Sequence, residues 1–239
     1  MVKQFPLSAL EKDVPSSANP PHSLPECRLF HEQAEGRTEV EDYIAAKYLQ
    51  VHGAKLKEFL PFLLQLSMKG QPQGAFGLRA GCYYPLFLEQ YLKDPIEQQV
   101  ALLTKRPVDR ASLVEVGNLA LTNKSSGPLL LVLLAATLAR AGFEYMVFTV
   151  TEQVEALMRL LGFSPMLLCS ADPNRLEGDS AIWGNYNRNN PRVMIGDLRL
   201  AQEVIETSPR LRRLAQRHES DISTMAAELA YARTREPNL

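Results

Sequence analysis

One stretch limits what this chain can become. Residues 111–163 read as strand, loop, helix, strand, helix. Residues 111–121 are rich in Val and Leu and are stopped by the polar run Thr122-Asn123-Lys124-Ser125-Ser126-Gly127. Pro128 suits the first turn of a helix, where a missing N–H goes unused. The helix to Ala141 is apolar almost all round, which predicts burial between layers, and Gly142 ends it. Tyr145–Val150 is a short apolar strand of the kind buried on both faces. Residues 152–161 then place Val154, Leu157, Met158 and Leu161 at helical spacing, and the run stops at Gly162-Phe163. A strand–helix–strand unit of this length favours parallel neighbours. Two residues break the apolar pattern of the first strand. Glu115 puts a carboxylate among apolar neighbours, which is costly unless the group is paired or used. Gly117 weakens a regular strand and often marks a bulge.

Residues 1–24 are polar and Pro-rich and predict an extended, mobile segment. They hold no apolar run of signal-peptide length, so the reading is neither export signal nor membrane anchor. Residues 26–33 predict a strand. Residues 38–56 predict a helix with Val40, Tyr43, Ile44, Tyr48 and Val51 near helical spacing and Gly53 in its end region. Residues 59–68 and 74–79 predict a hairpin around Lys69-Gly70-Gln71-Pro72-Gln73. Residues 86–92 and 96–103 read as helix interrupted at Pro95. Strands are expected at 165–170 and 192–195, separated by a polar loop, 172–190, that holds the only tryptophan, Trp183. Loops of that length are often functional. Residues 198–239 form a separate tail of amphipathic helices carrying Arg210, Arg212 and Arg213. That basic cluster reads as a solvated helix face, with a dock for an acidic carrier protein as the sharper alternative.

Composition narrows the function. With 239 residues the chain buries a good core, and one domain is the default. A net charge of −1 gives no general reason to expect nucleic acid or an anionic membrane. Cys27, Cys82 and Cys169 are too scattered for a disulfide framework and read as reduced thiols in a cytoplasmic protein. No Cys/His cluster has metal-ligand spacing, so no metal is expected. Residues 129–141 are strongly apolar but too short to span a bilayer.

The order of elements in 111–163 resembles the core of the GNAT N-acyltransferase fold. The closer resemblance is to the thermostable hemolysin family, a GNAT-like group. It is carried by Gly77-Leu78-Arg79-Ala80, by Leu86-Phe87-Leu88-Glu89-Gln90-Tyr91-Leu92, by Asp94-Pro95-Ile96-Glu97, by Val114-Glu115-Val116-Gly117-Asn118-Leu119-Ala120 and by Trp183-Gly184-Asn185-Tyr186. The resemblance covers residues 26–200. The segment around Glu115 is also similar to the Glu-Leu-Ser-Arg-Phe run of acyl-homoserine lactone synthases, with Asn118 where those carry arginine. Arg79 resembles the arginine of their Gly-x-x-Arg-Leu segment.

What the resemblance implies is an α/β fold with a mixed, mostly antiparallel sheet of about six strands flanked by helices. That domain would span residues 25–197, with a helical C-terminal extension at 198–239. The implied activity is transfer of an acyl group from a pantetheine thioester to a small amine. In that reading Glu115 is the base. The strand at Asn118, Leu119, Ala120 and Leu121 pairs with the pantetheine arm, and the N–H groups near Leu119 hold the oxyanion. Lys124, Ser125, Ser126 and Gly127 occupy the place of the pyrophosphate loop, although Leu129 departs from its pattern. The donor is therefore open between acyl-CoA and acyl carrier protein. Glu115 and Arg79 are also open between a substrate role and a structural ion pair. The competing readings of the whole chain are a membrane-active protein, as the family name records, and a non-catalytic binding module.

Overall fold

The structure, a computed structural model, describes residues 24–82, 85–177 and 180–234. The segment expected to be mobile lies outside them except for Leu24, as do two positions of the 172–190 loop.

Seven strands form one sheet: β1 (Glu26–Phe30), β2 (Phe62–Met68), β3 (Gln71–Ala80), β4 (Leu113–Leu121), β5 (Tyr145–Val150), β6 (Met166–Ser170) and β7 (Arg192–Asp197). Their order is β1-β2-β3-β4-β5-β7-β6. Only β4 and β5 run parallel; every other pair is antiparallel. The crossover that makes them parallel is α3 (Gly127–Arg140), as expected from the strand–helix–strand order.

Local chemistry sets several boundaries. The β2–β3 hairpin turns on Lys69-Gly70 alone, both at positive φ (51° and 72°). That geometry matches the twist of the strands it joins, so Gln71-Pro72-Gln73 belong to β3 rather than to a longer link. The helix α1 (Arg37–His52) stops four residues before the expected 56. Gly53, at φ 66°, folds back and donates its N–H to the Leu49 and Tyr48 carbonyls. Residues 87–91 are not α-helical but form a 3-10 turn, Phe87–Tyr91. The Glu89 carboxylate fixes it by accepting the N–H groups of Leu86 (3.0 Å) and Ile96 (3.1 Å) while pairing with Arg110 at 2.7 Å. Helix α2 (Ile96–Thr104) then starts directly after Pro95.

The sheet separates two layers. On one face, Val114 and Val116 share a core with Phe76, Leu78, α3 and α4 (Glu152–Leu160). That core continues into α5 (Leu198–Thr207), α6 (Pro209–Arg217) and α7 (Glu219–Thr234) through Leu198, Ile205, Leu211, Ile222 and Leu229. The all-round apolarity of α3 is thereby explained: it lies between the sheet and the C-terminal helices. Among the described residues no helix is long and apolar enough to cross a membrane. On the other face the apolar layer is split. One cluster gathers α1 with Phe30, Leu63, Ala75 and Ala120, and a second gathers the 3-10 turn and α2 with Leu113, Val147 and Val193.

The split begins with one extra residue in β4. Ala75 pairs with Ala120 and Gly77 with Gly117, so two steps along β3 face three along β4. Asn118 takes up the difference at φ 51°, in the left-handed region where Asn is among the few tolerated residues. Strict alternation would put residues 118 and 120 beside Val116 on the α3 side. Instead Leu119 and Leu121 pack there, and Ala120 joins the α1 cluster. The Asn118 Oδ1 accepts the Leu60 N–H at 3.0 Å. Asn118→Gly should therefore keep the bulge and lose about 1 kcal/mol with that hydrogen bond. Asn118→Val should lose in addition about 1–3 kcal/mol to left-handed strain at a β-branched residue. Urea unfolding of the two variants checks this; equal stabilities would show that the bulge does not depend on residue 118.

Candidate active site

The bulge leaves β4 and β5 paired only in part. Their register runs from Leu113 opposite Tyr145 to Val116 opposite Phe148 and stops. β4 stays bonded to β3 as far as Leu121, while β5 stays bonded to β7 through Val150. Past Val116 the two strands part, and the β4 edge that faces β5 is open. Gly77 is needed opposite the bulge, because a Cβ there would lie 2.6 Å from Asn118 Oδ1 and 2.9 Å from Leu60 Cβ.

Two cavities meet at this opening. The larger, about 360 Å³, lies on the split face between the two apolar clusters. Arg79, Glu115, Gly117 and Asn118 form its floor, and Phe87, Tyr91, Trp183 and Tyr186 wall it. The smaller, about 100 Å³, lies between the parted strands and reaches Leu130, Leu134, Val154 and Met158 of α3 and α4. Both are lined by Tyr48, Val116, Gly117, Asn118, Thr149 and Tyr186. A passage through the sheet plane therefore joins a polar floor on one face to an apolar pocket on the other.

The wall is a chain of ring contacts. Phe87 meets Trp183 at 5.6 Å between centroids, Trp183 meets Tyr186 at 5.9 Å, and Tyr186 stacks on Tyr48 at 6.3 Å. The polar loop that carries Trp183 and Tyr186 is pinned to the end of α1. Lys55 donates its N–H to the Ile182 carbonyl and Asn185 donates to that of His52, each at 2.7 Å. Gly184 makes the approach possible; a Cβ there would lie 2.2 Å from the His52 carbonyl oxygen. The Tyr186 hydroxyl donates to the Thr149 carbonyl at 3.3 Å, one residue past the last β4–β5 pair.

Glu115 is 3 % exposed. Its two carboxylate oxygens accept the backbone N–H groups of Phe87 (3.0 Å) and Leu88 (2.9 Å), so it holds the start of the 3-10 turn against the sheet. Arg79, opposite it on β3, is 3.9 Å away, too far for a direct hydrogen bond. Burial pushes the carboxyl above its ordinary value, and the two N–H groups and Arg79 only partly offset this. The principal partner of Glu115 is thus backbone, with Arg79 second. Arg79 itself donates to the Pro85 carbonyl at 3.1 Å.

Other titratable groups gather here that the sequence left scattered. Burial pushes the Tyr48 hydroxyl up and the His52 imidazole down, so both are neutral near pH 7. Tyr48 lines both cavities, and its hydroxyl has no hydrogen-bond partner among the described residues. Tyr186 is likewise held well above its ordinary value by burial. The helical pattern of residues 38–52 offered no sign that Tyr48 and His52 reach the same point as Tyr186.

Of the other residues singled out in the sequence, Asn118 and Leu119 line the opening. Ala120 packs under α1 and Leu121 against the α3 core, and neither lines a cavity. Lys124, Ser125, Ser126 and Gly127 stand at the junction of β4 and α3 but also line neither cavity. Within that loop the Asn123 Oδ1 already accepts the Ser126 N–H at 3.1 Å. Gly127 lies tight against α4, with a Cβ there 2.8 Å from Leu157 Cδ2.

A mostly antiparallel sheet whose two parallel strands part over an opening is a fold this chain shares with solved acyl-transferring synthases. The structure is similar to that of the AHL synthase LasI, with a TM-score of 0.50 and 12% identity over 73% of this chain and 90% of that one. It is similar to FeeM, an N-acyl amino acid synthase from uncultured soil microbes, with a TM-score of 0.50 and 14% identity over 79% of this chain and 98% of that one. It is also similar to the CoA-dependent acyl-homoserine lactone synthase BjaI, with a TM-score of 0.50 and 11% identity over 86% and 98% of the two chains. The thermostable hemolysin family model matches residues 30–202, and the chain belongs to that family. No curated protein matches it in sequence.

The position of Glu115 gives a test of sign. A carboxyl raised by folding holds its proton more tightly in the folded chain than in the unfolded one. Its contribution to stability is full below the ordinary value of 4.5 and is lost as pH rises through the folded value. Gln keeps one acceptor and turns an N–H₂ towards the other backbone donor. Glu115→Gln should therefore be less stable by about 1–3 kcal/mol in acid. The gap to wild type should narrow as pH rises, read by urea unfolding across pH. A gap that widens with pH would show that the N–H groups and Arg79 outweigh burial.

Proposed function

We propose that the protein is an N-acyltransferase that moves an acyl group from a pantetheine thioester to a small amine. The observation that carries this is the opening between β4 and β5, which joins an apolar pocket to a cavity with a buried carboxylate on its floor. An acyl thioester needs both: a dry slot for its chain and an open strand edge for the amides of its arm. The fold points the same way, since BjaI was solved with isopentyl-CoA and FeeM is an N-acyl amino acid synthase.

The chemistry follows from the groups present. The amine enters the larger cavity, and Glu115, ionised once pH exceeds its raised value, takes its proton directly or through water. The neutral nitrogen attacks the thioester carbonyl at the opening, where the N–H groups of β4 near Leu119 would hold the oxyanion. The C–S bond then breaks. The Tyr48 hydroxyl, neutral and unpartnered, gives its proton to the departing thiolate and regains one from solvent or from Glu115. The products are an amide and a free thiol. The Lys124–Gly127 loop has one N–H already taken by Asn123, so the nucleotide diphosphate of coenzyme A gains less there than in a free loop. We favour acyl carrier protein as the donor for that reason.

Calorimetric titration with acyl-CoA and with acyl carrier protein, followed by mass spectrometry of products with an amine mixture, tests the reading. Binding and amide formation with at least one donor are expected; no binding of either refutes it. Glu115→Gln should bind the donor and lose turnover by roughly 10²–10⁴-fold per folded molecule. Tyr48→Phe should lose turnover with an alkyl thioester and recover it with an aryl thioester, whose thiolate leaves without a proton. If the aryl donor shows the same defect, Tyr48 is not the acid.

A further inference from the structure

The acceptor cavity carries a charge pattern more specific than an amine requires. Its floor holds a carboxyl and a guanidinium side by side, Glu115 Oε2 and Arg79 Nη1, 3.9 Å apart on neighbouring strands. They are paired in space but not bonded to each other. Glu115 is held by backbone N–H groups, and Arg79 makes one hydrogen bond, from Nη1 to the Pro85 carbonyl. Among the described residues the Nε and Nη2 donors of Arg79 have no acceptor. The side chain is 26 % exposed and lines the cavity. A guanidinium presents its donors as a planar fork that matches a carboxylate, and leaving such donors unused in a sheltered site forgoes strong bonds. The other charged lining residues, Lys57, Glu58 and Glu177, are exposed at the rim.

An α-amino acid carries the complementary pair. Its nitrogen and its carboxylate oxygens are about 3 Å apart, from standard bond lengths. With its nitrogen at Glu115, its carboxylate would face Arg79, given the 3.9 Å between the two groups. Phe87, Trp183 and Tyr186 line the same cavity and would offer its side chain faces that suit an apolar or aromatic group. The cavity, about 360 Å³, is of small-molecule size.

We infer that the acceptor is an α-amino acid with an apolar or aromatic side chain, its carboxylate held by Arg79. This rests on the acyltransferase reading above and names its substrate class. Arg79 is then a binding residue that sets specificity, and Glu115 acts on the neighbouring nitrogen. The acylation itself balances as before: the amino nitrogen gains the acyl group and loses a proton, and the thiol leaves.

The test compares each common L-amino acid with its carboxamide, using whichever of acyl-CoA and acyl carrier protein the protein binds. Carboxamides keep the amine and the side chain, and their nitrogen is the less basic, so intrinsic reactivity favours them. The expected result is a kcat/KM roughly 10–100-fold higher for the acids, the effect of a charge-assisted hydrogen bond. Arg79→Gln should remove this preference: it slows both substrates, because Arg79 also favours the ionised form of Glu115, but slows acids roughly 10–100-fold more than carboxamides, and Arg79→Lys should restore part of the difference. Equal rates for acids and carboxamides in the wild type overturn the inference and leave the acyltransferase reading intact. So does an Arg79→Gln variant that slows both substrates equally, because the preference for acids then survives without Arg79. Saturation-transfer NMR with the same amino acids in the absence of donor separates the two claims. Arg79-dependent binding without any acylation supports the amino acid site and refutes acyl transfer; neither binding nor acylation overturns both.

Discussion

Asn118 holds a backbone conformation that few side chains tolerate, and its amide oxygen accepts the Leu60 N–H at 3.0 Å. The rest of the site depends on that arrangement. The extra residue ends the β4–β5 pairing after Val116, and it reverses which side of the sheet the following residues face. Leu119 and Leu121 then line and support the α3 side, while the other side is left with a gap between two apolar clusters. A regular strand would have closed the opening with ladder hydrogen bonds and put Asn118 into the α3 core. Bulges beside sites have this use generally: they end pairing where a ligand must enter.

The second constraint is the placement of Glu115. A carboxylate at 3 % exposure is tolerated because two backbone N–H groups face it, and those groups belong to the turn that carries Phe87. One side chain thus fixes a wall of the cavity and, in the proposed reaction, supplies its base. The demands oppose each other. The N–H groups favour the charged form, burial favours the neutral form, and burial prevails. A carboxyl so balanced is ionised at a higher pH than an exposed one, as the base of the proposed reaction requires. Glu89 shows the contrast nearby. Burial acts on it too, but direct hydrogen bonds from Arg110 overcome the effect and hold its pKa low, and it serves only to tie the same turn to α2.

Much of this was legible in the sequence where a local pattern carried it. The strand–loop–helix–strand order, the all-apolar helix and the lone carboxylate in an apolar strand gave the parallel pair, the buried α3 and the interest of Glu115. Gly117 signalled a bulge, which falls one residue later because Asn, unlike the β-branched neighbours of a strand, accepts left-handed φ. Contacts that only the fold brings together were not legible. Backbone donors have no residue type, so the N–H groups that hold Glu115 left no mark in the sequence, and Arg79 took their place as the expected partner. Tyr48 and His52 looked like ordinary positions of an amphipathic helix. They meet Tyr186 only because Gly184 lets a distant loop touch the end of α1. Residues 86–92 had helical spacing but too few residues between prolines for a stable α-helix, and Glu89 settles them as a 3-10 turn.

In the proposed reaction the open edge of β4 receives a pantetheine thioester through the sheet. A crystal structure with a non-hydrolysable acyl-pantetheine thioether tests it most directly. The arm should lie between β4 and β5 past Val116 and Phe148, with its amides bonded to the backbone near Leu119. The acyl chain should lie beside Leu130, Leu134 and Met158, and the thioether sulfur within reach of Tyr48. A ligand bound elsewhere on the molecule, with Tyr186 still bridging to Thr149 and the opening empty, would contradict it.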